Sequence, residues 1–304
     1  GYIKRVSPSI YKIQKRGGKG ILGMKTMQED IVEHFLMAQT HDSMLFFTDS
    51  GKVFRTLVYE IPRGTRVSRG RGLLNFLELS SGERVLSLQS LGKEDADYGF
   101  KNLVMLTESG IIKKTPLEAF KNIRRSGLIA LKLRKDDLLK KTVKTTGEDD
   151  LIIVTRRGKS IRIKEKDVRT MGRTAAGLIG IRMGKGDKVV SMDVIRKEEA
   201  KDKKKPQRLL VVTEKGYGKV TSIKEYRVQG RGGTGIKTAN VTSKTGEIVA
   251  ARVVREEEDL IVISEKGHVI RTGISSIPKL SRATQGVRIM RLAEGDKVVS
   301  TAFI

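Results

Sequence analysis

One short pattern recurs along this chain and leaves few folds open to it. An apolar, β-branched run is followed by Thr or Ser, two mostly polar residues, Gly, and a basic strand-like segment. Its first full copy is Met44-Leu45-Phe46-Phe47-Thr48-Asp49-Ser50-Gly51-Lys52-Val53-Phe54-Arg55. Leu103 to Gly110 repeats it, continuing into Ile111-Ile112-Lys113-Lys114. Leu151-Ile152-Ile153-Val154-Thr155-Arg156-Arg157-Gly158, Leu210 to Gly216 and Leu260 to Gly267 repeat it again. The opening Gly1-Tyr2-Ile3-Lys4-Arg5 matches the second half, so six units are present and the first lacks its leading strand. From Gly51 through Gly110, Gly158 and Gly216 to Gly267, the turn glycines lie 59, 48, 58 and 51 residues apart. The two long intervals hold polar insertions, at residues 92–100 and 197–206. Without them the period is about 50 residues, a spacing found in propeller blades.

Each unit has a second half. It opens with a basic, glycine-bearing loop: Arg69-Gly70-Arg71-Gly72, Arg124-Arg125-Ser126-Gly127, and residues 173–177, 230–235 and 282–286. A strand-like run, an acidic turn and another strand follow, as in Gly186-Asp187-Lys188-Val189-Val190. Short β-branched runs bounded by glycine turns read as strands rather than helices, about four per unit. The expected class is all-β, with residues 1–304 forming one domain. Six four-stranded units set radially would leave only short, protected edges; an open solenoid is the structural alternative.

Charge decides the class of partner. Lys and Arg number 61 and Asp and Glu 35, a formal net charge of +26. Self-repulsion on that scale costs stability unless a polyanion is bound. No run of eighteen apolar residues, signal-peptide pattern or basic amphipathic helix points to a membrane. There is no cysteine, which fits a cytosolic protein and leaves no thiolate metal site. His34, His41 and His268 are too scattered for a metal centre, so neither metal nor cofactor is expected.

The charge also keeps phase with the repeat. Acidic pairs fall mostly in the connectors before the leading strands, at Glu94-Asp95, Asp149-Asp150, Glu198-Glu199 and Glu256-Glu257-Glu258. Basic residues crowd the hairpin after the leading strand and the glycine loop. In a closed ring, equal phase means equivalent surface, so a basic band is expected at the edge, with the acids gathered elsewhere. Any one basic cluster is usually a solvated face, and Lys203-Lys204-Lys205, inside an insertion, is read that way; six clusters in register read as a binding track. Tyr and Phe together number only 14, most within apolar runs. Single-strand and RNA binders stack bases on aromatics, so their scarcity in the loops favours duplex DNA. No helix-turn-helix or zinc finger is present, which leaves recognition to phosphate contacts and DNA deformability.

Residue types and spacing exclude several chemistries. Gly230 to Gly235 satisfies G-x-G-x-x-G, yet no helix follows it and no strand precedes it as a dinucleotide fold requires. Gly18 to Thr26 approaches a phosphate-binding loop, but Met24 displaces the lysine. Asp136-Asp137 has no partnered base or nucleophile and reads as a turn.

The segment Gln14-Lys15-Arg16-Gly17-Gly18-Lys19-Gly20 has three cations and no apolar residue, and can bring bare backbone N–H groups and positive charge to a polyanion. It resembles the gyrase A box, the signature of the C-terminal DNA-wrapping domain of the DNA gyrase A protein, part of a type IIA topoisomerase. The resemblance extends over essentially the whole chain. It implies a six-bladed β-pinwheel, a propeller relative with its own strand connection, that wraps duplex DNA so that the enzyme introduces negative supercoils. It also implies a cytoplasmic, nucleoid-associated protein whose partners are the ATPase subunit of gyrase and the N-terminal cleavage region of its own polypeptide. Cleavage tyrosine and ATPase then lie outside this chain, and no catalytic residue is expected within it. The related topoisomerase IV domain shares the repeat but has an absent or degenerate box. Expected phosphate contacts are Lys15, Arg16 and Lys19 with Gln14, Gly17, Gly18 and Gly20, then Arg69, Arg71, Lys113, Lys114, Arg124, Arg125, Arg156, Arg157, Arg162, Arg173, Arg231, Lys237, Arg271, Arg282 and Arg288. Gly235 is expected to permit close backbone approach or unusual φ. The rival reading is a propeller-like scaffold whose basic rim binds an acidic protein.

Overall fold

A computed structural model describes residues 1–7, 21–22, 34, 36–65, 68–200, 206–255 and 258–303. Five four-stranded antiparallel sheets and one two-stranded sheet follow one another around a ring. We number these sheets as blades 1 to 6 in chain order. Blade 4 illustrates the plan. Its leading strand Asp150–Thr155 pairs with Lys159–Lys164 on one side and Val189–Ile195 on the other. Its fourth strand is not its own: Ile236–Lys237, from the next unit, pairs with Lys159–Ser160 at the outer edge. The same exchange places Leu128–Ile129 on blade 2, Leu178–Ile179 on blade 3 and Val287–Arg288 on blade 5. Blade 1 has Tyr2–Ile3 paired with the donated Arg71–Gly72.

The exchange closes the ring. Ile21–Leu22, from the first unit, pairs with His268 and Val269 of the last. Val6 packs on the adjoining cluster of Ile261, Ile263, Val269 and Ala302. The open solenoid is thereby set aside. The last long strands of blades 2 to 6, ending with Val298–Phe303, run beside one another from blade to blade and so lie nearest the axis. The donated strands lie farthest from it.

Leading strands are apolar without alternation because both faces are covered. Leu151 and Ile153 pack on Val104 and Leu106 of blade 3. Ile152 and Val154 pack on Leu209, Val211 and Tyr226 of blade 5. The polar insertions hold short helices, Glu94–Asp97 and Lys197–Ala200.

The signature glycine sits where one unit crosses to the next. Gly158 has φ +86°, and its carbonyl accepts N–H bonds from Thr238 and Ala239 of the following unit, at 2.7 and 3.3 Å. A Cβ there would lie 2.6 Å from the Ala239 carbonyl oxygen. Gly51, Gly110 and Gly216 repeat both features, meeting Leu131, Ile181 and Met290. The recurring hydroxyl completes the turn: Thr155 Oγ1 accepts from the Lys159 N–H at 3.2 Å, as Thr107 does from Ile111 at 3.1 Å and Ser264 from His268 at 3.2 Å.

Gly158→Ala therefore adds a backbone clash to left-handed strain, whereas Gly82, at φ +78° with open space around it, meets the strain alone. Urea unfolding should show Gly82→Ala costing about 1 kcal/mol and Gly158→Ala at least about 2 kcal/mol more. Equal losses would mean that the crossing tolerates a side chain.

Candidate nucleic-acid interface

The basic residues of the repeat divide into four groups according to where each unit carries them. Residues 14–20, with Gln14, Lys15, Arg16, Gly17, Gly18, Lys19 and Gly20, lie outside the described residues. They directly precede Ile21–Leu22, the strand donated to the outer edge of blade 6.

The glycine loops and donated strands form the outer rim. Arg69, Arg71, Arg124, Arg125, Lys237 and Arg288 are exposed there. Arg173, Arg231 and Arg282 are half-buried on the same loops. Two of these tie loop to loop. Arg231 Nη1 donates to the Ile179 carbonyl at 2.7 Å, and Arg282 Nη1 to the Lys237 carbonyl at 2.9 Å, each reaching the strand donated by the unit before. A guanidinium has five donors in a planar fork, so such a tie leaves others available. Gly235 has φ +72°, and a Cβ there would stand 2.5 Å from the Ser160 carbonyl oxygen, so its expected role in close approach is to a neighbouring strand.

Four expected contacts point inward instead. Lys113 is fully buried, and its ammonium donates to the Ala130 carbonyl at 2.8 Å and to the Arg173 carbonyl. Lys114 is buried against Glu165, with Nζ 3.2 Å from the Glu165 carbonyl and 3.7 Å from its carboxylate. Arg162 pairs with Asp150 at 2.7 Å and donates to the Tyr226 carbonyl at 3.2 Å. Arg271 pairs with Asp259 at 2.6 Å. Arg156 and Arg157 sit on the hairpin turn just before the signature glycine Gly158. Arg156 meets Glu247 at 2.5 Å, and Arg157 donates to the Lys185 carbonyl at 2.9 Å.

The inward set follows a rule that charge phase does not reveal. Three residues past the signature glycine, units 1, 3 and 5 carry Lys4, Lys113 and Lys219, and units 2, 4 and 6 carry Phe54, Ile161 and Ile270. Each lysine clips the following unit's glycine loop by its backbone carbonyls. Lys4 reaches Thr65 and Ser68 at 2.9 and 2.6 Å, and Lys219 reaches Ser281 and Arg282 at 2.6 Å each. One residue later, units 1, 2 and 4 carry an arginine that caps the 3₁₀ turn of the next unit, whereas unit 5 carries Val220. Arg5 donates to the Tyr59 and Ile61 carbonyls, Arg55 to Lys121 and Arg162 to Tyr226.

Rim cations beyond the expected contacts lie just past those turns: Arg63, Lys121, Arg169, Arg227 and Lys279, all exposed. The segments of Arg63, Arg169, Arg227 and Lys279 bridge in parallel to the preceding blade, as at Arg5↔Arg63 and Val220↔Lys279. Their recurrence 11 or 12 residues past each turn glycine is the signal that could have found them. The connector acids, expected as a separate surface group, are partly internal: Asp149 and Asp150 are buried and bind Arg196 and Arg162.

A family profile described as the DNA gyrase C-terminal domain, β-propeller, matches residues 1–37, 42–91, 101–143, 149–196, 207–255 and 258–304. Its two widest gaps fall on the two insertions. The chain is 41% identical over 301 residues to the DNA gyrase A protein of Staphylococcus epidermidis, and 41% over 305 residues to that of Mycolicibacterium smegmatis. These alignments take in 99% of this chain and 33% and 35% of those proteins, so the chain spans about a third of the length of the curated relatives it matches. Among solved structures, a DNA gyrase A C-terminal domain superposes with TM-score 0.87 at 24% identity, covering 100% of this chain and 96% of that one. A DNA topoisomerase IV C-terminal domain superposes at 0.75 and 22%, covering 100% and 90%. At those identities the two structures establish the fold.

Burial pushes Lys113 and Lys219 down from 10.5 to about 8, chiefly by desolvation; Arg173 adds to the shift at Lys113, while at Lys219 Glu225 opposes it and Arg282 adds to it. Between about pH 8 and 10.5 the unfolded chain then holds more protons than the folded one, so these groups add stability as pH rises. The unfolding free energy of the parent chain minus that of Lys113→Met, read by urea unfolding, should rise from pH 7.5 to pH 9.5. A difference that falls would contradict the direction of the shift.

Proposed function

The chain belongs to the family of DNA gyrase C-terminal β-propeller domains, and we propose that residues 1–304 act as one body that binds and bends duplex DNA around its outer rim. The observation that carries this reading is the row of exposed cations on the glycine loops and donated strands, repeated from blade to blade with no base-reading element among them. Phosphates neutralised along such a row release counterions, and that gain offsets a bending cost of up to about 10 kcal/mol for a strong bend of a 20–30 bp site. Binding is accordingly largely independent of sequence. Within the larger protein, the wrap presents DNA for strand passage and so supports negative supercoiling, alongside the N-terminal cleavage region and the ATPase subunit. The cleavage and ATPase chemistry belongs to those parts, and the site is cytoplasmic. Among the described residues no helix is long and apolar enough to cross a membrane.

The phosphate contacts proposed are Arg69, Arg71, Arg124, Arg125, Arg173, Arg231, Lys237, Arg282 and Arg288, together with the box residues Lys15, Arg16 and Lys19. Lys113, Lys114, Arg162 and Arg271 are left out because their charged groups are committed between blades.

With about eight to ten phosphates neutralised, log K for duplex binding should fall against log salt with a slope of roughly −7 to −9. Replacing Arg124 and Arg125 by alanine should reduce the magnitude of that slope by about 2. A slope near zero, or binding that survives high salt and prefers an acidic protein, would favour the scaffold reading.

The box contributes more to bending than to affinity. It precedes the strand that joins the first unit to blade 6, so its cations lie in sequence at the seam that a continuous track must cross. Lys15→Ala, Arg16→Ala and Lys19→Ala together should lower affinity only by the share of about three contacts. Fluorescence transfer between the ends of a bound duplex should drop much further. Weak binding with normal bending would make the box an affinity element only.

A further inference from the structure

The residue that follows the signature glycine faces the donated strand, and its chemistry changes around the ring. Blades 2, 3 and 4 carry Lys52, Ile111 and Lys159 there, whereas blades 5, 6 and 1 carry Tyr217, His268 and Tyr2. Both tyrosines lie against an arginine of the strand-exchange segment. The Arg69 guanidinium stands 3.8 Å from the centre of the Tyr2 ring. That of Arg288 stands 5.5 Å from the Tyr217 ring, and its Nη2 donates to the Tyr217 hydroxyl at 3.1 Å. Lys244 approaches the same ring at 5.8 Å. The register brings them together: Tyr217 pairs with Arg288, and Tyr2 with Gly72, beside the Arg69–Arg71 turn.

A core explanation does not account for Tyr2, which is 47% exposed at the rim. A tyrosine there gives a flat, polarisable surface on which a guanidinium can rest. Stacking restrains the plane of a guanidinium without itself using an N–H donor. An arginine already held loses less side-chain freedom when it meets a phosphate. Arg124 and Arg125, by contrast, are exposed on a loop that carries no aromatic residue of its own.

We infer that Tyr2 and Tyr217 are positioning residues that hold Arg69 and Arg288 ready to grip the phosphodiester backbone of duplex DNA. The two pairs lie on blades 1 and 5, on either side of blade 6, whose outer strand receives Ile21–Leu22. They therefore act as paired grips flanking the seam of the ring, where the track must pass from the last unit to the first. This rests on the duplex-binding reading above.

The test is a double-mutant cycle on the 304-residue chain with a fluorescent duplex at several salt concentrations. Tyr2→Leu and Tyr217→Leu should each weaken binding about two- to fivefold, the range of an exposed cation–π contact. The salt slope should stay unchanged, because no charge is lost. Arg69→Ala and Arg288→Ala should weaken binding and also reduce the slope by about 1 each. In the Arg69→Ala or Arg288→Ala background, the matching tyrosine change should then cost almost nothing. Tyr217→Phe keeps the ring and should retain most of the affinity. Because Tyr217 is nearly buried, Tyr2, on the surface, keeps the test valid if Tyr217→Leu unfolds the chain. Losses that add independently, or a Tyr2→Leu chain that binds as the parent does, would overturn the inference while leaving duplex binding intact. A parent chain that does not bind duplex at all would overturn both.

Discussion

The molecule depends on one backbone junction, used again in blade after blade. At Gly51, Gly110, Gly158 and Gly216 the hairpin carbonyl accepts two N–H groups from the next unit, and the two backbones pass too closely for a Cβ. That contact commits each unit to its neighbour. A unit on its own would leave its outer strand without the donated partner and its apolar face uncovered. Both deficits are made good only by stacking, the general condition of repeat architectures. The rim then follows, because the loop that carries the cations is the loop that delivers the donated strand. The element that completes a blade and the element that carries the rim cations are the same piece of chain.

Much of this is legible in the sequence. The six units, the strand-rich class and both insertions come from recurrence alone, and the six matched segments of the family profile fall on the same units. The strand exchange is not legible. A two-residue strand such as Ile236–Lys237 has the same pattern whether it stays with its own unit or crosses to another. Direction of charge is equally hidden. Lys113 and Lys114 are neighbours in a basic strand, and in sequence both read as phosphate contacts. Their ammonium groups lie among backbone carbonyls and against Glu165. Phase identifies equivalent positions, but it cannot say whether a long side chain lies outward or folds back into the next blade, since Lys and Arg can do either.

The inward cations have their own logic. A ring of separate sheets is held by apolar clusters between neighbouring blades, and those clusters have little directional preference. The capping arginines supply direction. Arg5, Arg55 and Arg162 each close the 3₁₀ turn of the following unit by a backbone carbonyl, fixing where that unit begins its crossing. The lysine clips work one step further along, on the loop itself. They occur in alternate units, with Phe54, Ile161 and Ile270 in the others. Beside Phe54 the loop glycine Gly127 lies against the ring, so an apolar contact takes the place of an ammonium. The lysine clips and Phe54 are thus two kinds of loop anchor on one rim.

The choice of partner for those buried lysines bears on the field of the whole molecule. Lys113 and Lys219 donate to carbonyl oxygens rather than to carboxylates. A carboxylate would satisfy the same ammonium and cancel its charge. Carbonyl dipoles satisfy it without cancelling it, so a charged lysine there still contributes to the +26 that an approaching polyanion meets. The cost is desolvation, seen in the lowered affinity of both groups for their protons. Screening confines most of the benefit to about 10 Å at 0.1 M salt, so it falls on the surface nearest each clipped loop. A cation held inside the blades can in this way raise the positive potential of the rim, and it does so while holding the rim loop in place.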